Sequence, residues 1–143
     1  VADRTGRGGR LMPAEKDLAM VTDHVTQSGI DTYAELSGDF NPLHVDPAVA
    51  AASEFGGVIA HGPVALQVFF RWATATFDRK ALGPGSEVRV AYRGPTRPGD
   101  TLRCVPREES PVSGGLQVKA DCVNQDDTVV VSVDAIVVRP DAG

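Results

Sequence analysis

A chain of 143 residues is long enough for one domain with a single sizeable core. Its 14 Lys plus Arg against 19 Asp plus Glu leave a net charge of −5, which argues against a nucleic-acid module, since that needs a basic face. No apolar run approaches the roughly 18 residues of a membrane span, and two cysteines are too few for a disulfide scaffold. The expectation is a soluble domain with neither nucleic acid nor membrane as partner. With no signal peptide in view, a cytoplasmic location is the default.

The opening "VADRTGRGGR" is rich in Gly and Arg and lacks hydrophobic periodicity. Residues 1–17 are therefore read as a flexible arm, ahead of a domain covering 18–143. "LAMVTDHVTQS" reads as a first strand, in which His24 has no visible partner. Thr26 or Ser28 is placed to cap the helix "GIDTYAELS", where Ile30, Tyr33, Ala34 and Leu36 fall near helical spacing. Gly38 ends it. "DPAVAAASEF" predicts a second, short helix with Asp46 as N-cap and Pro47 as first helical residue, so Asp46 is read as a cap and not a catalyst. "FGGVIAHGP" is a Gly-punctuated loop.

Residues 64–77, "VALQVFFRWATATF", predict a long helix. Gln67, Arg71, Thr74 and then Asp78 form one narrow polar stripe on a helix that is otherwise apolar, the mark of an element buried on most of its circumference. The period then changes to two. "SEVRVAYRG" sets Val88, Val90 and Tyr92 against Arg89 and Arg93. "DTLRCVPREE", "GLQVKADCVN" and "TVVVSVDAIVV" continue as strands, divided by "PTRPGD", "SPVSGG" and "NQDD". Spacings of this kind favour an antiparallel sheet, and the whole reads as an α+β domain with a curved sheet wrapped around a central helix. Cys104 and Cys122 sit in separate strands, outside any zinc-binding spacing, and are expected as buried free thiols; no metal is expected.

The chemistry concentrates in "SGDFNPLHVDP", Ser37 to Pro47. Asp39 and His44 cannot share a helical face at that offset with Pro42 between them. Asn41-Pro42 is a turn former, and a turn there brings both side chains to one point. A carboxylate and an imidazole so placed can exchange protons near neutral pH and polarise a shared water. No Ser- or Cys-type nucleophile accompanies them. The competing reading is a purely structural Asx turn.

Gly62, where the "IAHGP" loop enters the long helix, adds a third component. Its N–H is one of the donors a helix start leaves unsatisfied, with the positive end of the macrodipole behind it. That suits an oxygen that becomes negative during reaction, and Gly permits close approach to the backbone. Pro63 preorganises the helix start. An acid/base pair with an oxyanion donor describes addition or removal of water α,β to a carbonyl. His61 is read as making a structural hydrogen bond.

"YAELSGDFNPLHVDPAVAAASEFGGVIAHG" resembles the signature of the MaoC-like dehydratases, the R-specific enoyl-CoA hydratase (hydratase 2) family. The resemblance is close from Val25 to Gly62 and looser through the long helix and "GPTRPGDTLRC". It implies a hot-dog fold and a homodimer whose sheets join, with a substrate tunnel near the subunit boundary. It assigns catalysis to Asp39 and His44, the oxyanion donor to Gly62 N–H, and loop support to Asn41. The implied reaction is syn addition of water to a trans-2-enoyl thioester, giving an (R)-3-hydroxyacyl thioester, or the reverse. Asp39 is favoured as base and His44 as donor to C2, with the individual assignment open. The substrate is an acyl-CoA or acyl-carrier thioester; no cofactor is implied, coenzyme A being part of the substrate.

Members of this family carry a small residue about two turns into the central helix, where this chain has Phe69, Phe70 and Trp72. Phe70 is the candidate for substrate contact, with packing against the sheet as the alternative. Arg89, Arg93 and Arg97 are candidates for the phosphates of coenzyme A, or else a solvated face. Three other functions compete: a biosynthetic dehydratase on a carrier or specialised CoA thioester, a hot-dog thioesterase, and a non-catalytic acyl-thioester-binding subunit. The intact Asp39, His44 and Gly62 set speaks against the last.

Overall fold

The apolar run after His61 forms the longest helix among the described residues, α4 (Gly62–Thr76). The computed structural model describes residues 22–138. Before α4 come β1 (Thr22–His24), α1 (Gln27–Ser37), α2 (Pro42–Val45) and α3 (Pro47–Ala51). After it come a 3-10 turn (Arg79–Leu82), β2 (Glu87–Tyr92), β3 (Thr101–Val112), β4 (Gly115–Val123) and β5 (Val129–Val138). The flexible arm expected at residues 1–17, and the beginning of the first strand, lie outside the described residues. No helix among the described residues is long and apolar enough to cross a membrane.

The five strands form one antiparallel sheet in the order β1-β3-β4-β5-β2. Ala65, Leu66, Val68, Phe69, Trp72 and Ala73 of α4 are buried against it, while Gln67 and Arg71 of the polar stripe stay exposed. This is the hot-dog arrangement, a sheet curved around a helix. The helix begins earlier than the apolar periodicity predicts, at Gly62 instead of residue 64, because Pro63 fits the first turn. Cys104 and Cys122 are free, buried and directly paired across β3 and β4. The hydrogen bond to Cys122 and burial push the Cys104 thiol upward, so Cys104 remains a neutral packing group.

Three local readings change. "SPVSGG" is not a loop: Ser110, Pro111 and Val112 belong to β3, and Val112 pairs with Gly115 across a two-residue turn. Proline is tolerated because described β1 residues pair only with Thr101–Arg103, and the register shifts between Pro106 and Glu108. His24 has a partner after all, its Nδ1 lying 3.0 Å from Thr101 Oγ1 directly opposite. Asn41-Pro42 is a helix start instead of a simple turn. Asn41 Oδ1 accepts from Leu43 N at 3.0 Å and Pro42 opens α2.

The next start repeats that pattern. Asp46 Oδ1 accepts from Ala48 N and Val49 N, at 3.1 and 3.2 Å, with Pro47 opening α3. Replacing such a cap by alanine costs about 1 kcal/mol. Asp46→Ala is expected to lower Tm by about 3 °C, while Asp46→Asn leaves it nearly unchanged; thermal denaturation of both variants checks this.

Candidate active site

Helix α1 ends where Gly38 turns left-handed at φ 80°, returning its N–H to Ala34 O at 2.8 Å. The next residues are tied by short-range bonds. Asp39 N donates to Ser37 Oγ at 3.1 Å, and Asn41 N donates to Asp39 Oδ1 at 3.1 Å. With one carboxylate oxygen held by the backbone, the other, Oδ2, is directed at His44. It lies 3.9 Å from His44 Nε2. That gap is too long for a direct hydrogen bond, but it has the width that one water bonded to both at about 2.8 Å would span. The Asp39 side chain is 52% exposed and that of His44 only 12%, so the pair faces solvent from one side.

His44 is fixed by its other nitrogen. Nδ1 stands 2.7 Å from Ile59 O, and a carbonyl only accepts, so Nδ1 carries the hydrogen. The neutral ring therefore presents a lone pair at Nε2, the nitrogen facing Asp39. Gln27 Nε2 donates to His44 O at 3.0 Å and steadies the same residue from α1. Asn41 stands where loop support was expected: it caps α2 and, through its carbonyl, accepts from His44 N at 2.9 Å.

A cavity of about 520 Å³ opens beside this pair, lined by His44, His61, Gly62, Tyr92 and Arg93 among mainly apolar neighbours. His44 and Gly62 both reach it; Asp39 and Phe70 are not among its lining residues. Phe70 instead packs against the core, edge-on to Phe69 at 5.7 Å between ring centroids. Of the three arginines, Arg97 donates to Phe55 O at 2.5 Å and Arg89 lies 3.7 Å from Glu87. Arg93 borders the cavity, with Nε donating to Ser132 Oγ at 3.2 Å.

Gly62 carries one of the N–H groups that a helix start cannot satisfy internally, and it does so on the cavity wall. A side chain is excluded there. A Cβ on Gly62 would lie 2.6 Å from Tyr92 Cε1. Tyr92 thus walls the site next to the donor, a role no periodicity shows, because it depends on where β2 lies relative to α4. Partial burial, then the neighbouring Tyr33, raise its hydroxyl above the ordinary tyrosine range, so the wall stays uncharged.

Donor atoms of Asp39, His44 and His61 lie within 4.8 Å of one another, close enough to be weighed as metal ligands. However, His44 Nδ1 and His61 Nε2 are both engaged by carbonyls, and the two rings are stacked at 3.8 Å and 29°. Stacked rings aim their remaining lone pairs side by side, whereas ligation needs convergence at about 2.0–2.2 Å. The arrangement suits proton transfer through water better.

Gly62→Ala is expected to displace the Tyr92 ring at a cost of about 1–3 kcal/mol, the range for overpacking. Combined with Tyr92→Ala, the loss should fall below the sum of the two single losses; denaturant unfolding of the three variants measures that coupling.

The family model of the MaoC like domain matches residues 11–133. The peroxisomal hydratase-dehydrogenase-epimerase of Saccharomyces cerevisiae is 44% identical over 68 residues, covering 48% of this chain and 7% of that protein. The 3-hydroxybutyryl-CoA dehydratase of Methylorubrum extorquens is 27% identical over 120 residues, covering 81% of this chain and 74% of that one. Among solved structures, the unliganded R-hydratase PhaJ1 from Pseudomonas aeruginosa superposes with a TM-score of 0.66 at 27% identity, covering 83% of this chain and 77% of that one. The chain spans 7% to 11% of the length of the first curated relatives it matches. Family match, loop and fold coincide: the chain belongs to the MaoC-like dehydratase domain family.

Proposed function

We propose that this domain adds water syn across the double bond of a trans-2-enoyl thioester to give an (R)-3-hydroxyacyl thioester, or removes it in the reverse direction. The observation that carries the reading is the 3.9 Å gap between Asp39 Oδ2 and His44 Nε2, beside a cavity that also receives the start of α4. The thioester carbonyl points at Gly62 N–H, and one water sits between Asp39 and His44 against C3. Water oxygen bonds to C3 while Asp39 takes one of its protons. The π electrons move toward the carbonyl oxygen, where Gly62 N–H and the helix dipole stabilise the developing charge. His44 then delivers the proton at Nε2 to C2. Because Nδ1 is held by Ile59 O, only Nε2 is free to do this; the step requires the imidazolium, with a hydrogen on each nitrogen, in place of the neutral ring. Both protons move on one face, hence the syn outcome.

No resident cofactor takes part; coenzyme A, or a carrier's phosphopantetheine, belongs to the substrate. Arg93 at the cavity border is the cation best placed for its phosphates. A homodimer is part of the same proposal. Among the described residues β2 is paired on one side only, by β5, and its other edge is offered to a second copy, next to the half-exposed Tyr92. A cytoplasmic setting also belongs to it, since two buried free thiols suit a reducing compartment.

Crotonyl-CoA and longer enoyl-CoA esters test the reading through loss of enoyl absorbance, with chiral analysis of the product. Asp39→Asn and His44→Gln are each expected to lower kcat by about 10²–10⁴ with the fold retained. Near-parental kcat in either folded variant refutes the assigned roles. Release of free thiol without a hydroxyacyl product would identify a thioesterase.

A further inference from the structure

His61 occupies the N-cap position of α4, where Ser, Thr, Asp or Asn usually serve, yet its side chain makes no capping bond. The ring turns the other way, into the Asp39–His44 loop. It is buried to 2% exposure. Its Nε2 lies 3.0 Å from Asp39 O, and since a carbonyl only accepts, that nitrogen carries the hydrogen. Its face lies against His44, with ring centroids 3.8 Å apart and planes at 29°, while Tyr33 closes from α1 at 4.7 Å. Its Nδ1 is buried with no hydrogen-bond partner among the described residues. One ring therefore holds the backbone of one reacting residue and the flat face of the other.

The remaining restraints leave a gap that this ring fills. Ile59 O fixes His44 within the plane of its imidazole, but does not stop it tipping out of that plane. Asp39 is held through Ser37, the last residue of α1, and Asn41, each two positions away along the chain, and neither bond opposes a movement of Asp39 away from α4. His61 is fixed at the start of the buried helix and opposes both movements at once.

We propose that His61 is a positioning residue for the hydration reaction, acting as the neutral Nε2–H tautomer to set the separation and relative tilt of Asp39 and His44. The inference rests on the hydratase reading above. The titratable groups around the ring are Tyr33 on α1, Asp39 and His44 in the loop, and Tyr92 on β2 across the cavity. An error of about 1 Å in a reacting group can cost 10²-fold in rate.

The test pairs two substitutions with one measurement on the parent protein. His61→Phe keeps a ring against His44 and removes the donor to Asp39 O. His61→Gln keeps a donor nitrogen at similar reach. In folded protein, His61→Phe is expected to lower kcat by about 10²-fold with little change in KM, and to move the limbs of the kcat/KM pH profile. His61→Gln should recover part of kcat. A folded His61→Phe protein with parental kcat and pH limbs overturns the proposal, as does a rate loss matched by the loss of folded protein alone. If His61→Phe does not fold, imidazole nitrogen NMR of the parent decides: Nε2–H at His61 supports the proposal, and Nδ1–H overturns it. An inactive parent carrying the Nε2–H tautomer sinks the hydratase reading instead.

Discussion

A helix leaves its first N–H groups without partners, and in this fold the sheet encloses most of the rest of that helix. The front end of α4 is thereby the part of the rod whose backbone N–H groups can donate outward. The proposed site gathers there. Gly62 supplies the donor, Tyr92 stands where a side chain on Gly62 would have to go, and His61 immediately before it reaches back into the loop. Buried Phe69 and Trp72 hold the rod in place, so the donor is fixed before any ligand arrives.

The loop facing that end uses a different economy of order. Its shape comes from side chains of Ser37, Asp39, Asn41 and Asp46 accepting from backbone N–H groups, and from prolines at two successive helix starts. One oxygen of Asp39 is consumed structurally and the other is left for chemistry. His44 divides its nitrogens in the same way. Each residue of the proposed acid/base pair therefore carries its own support on the far side of the same functional group, which limits how far it can wander.

What could be read from the sequence follows the distance over which each feature is decided. The long helix, its polar stripe, the Asp46 cap and the approach of Asp39 to His44 are all decided within a few residues, and each was legible. Features that depend on sheet register were not. His24 finds Thr101 only because β1 pairs with β3, and Tyr92 meets Gly62 only because β2 lies alongside the start of α4. The stretch around Pro111 read as a loop because proline costs a ladder bond, a cost that disappears where no described strand pairs on its N–H side. The bulky Phe70 beside the site in sequence faces the core in space, since helical phase and not proximity along the chain decides its direction. Arg97 was weighed as a ligand for phosphate and turned out to hold Phe55, a contact between distant segments that no pattern announces.

Most of the backbone and capping bonds that shape the Ser37–Asp46 turn close within four positions along the chain, while Ile59 N to Leu43 O ties the turn to the segment before α4. Such a unit carries its own blueprint. Descendants can reshape strands, trade aromatic filling or lengthen hairpins while the proposed Asp39–His44 pair keeps its spacing, so selectivity and chemistry are free to evolve on separate schedules.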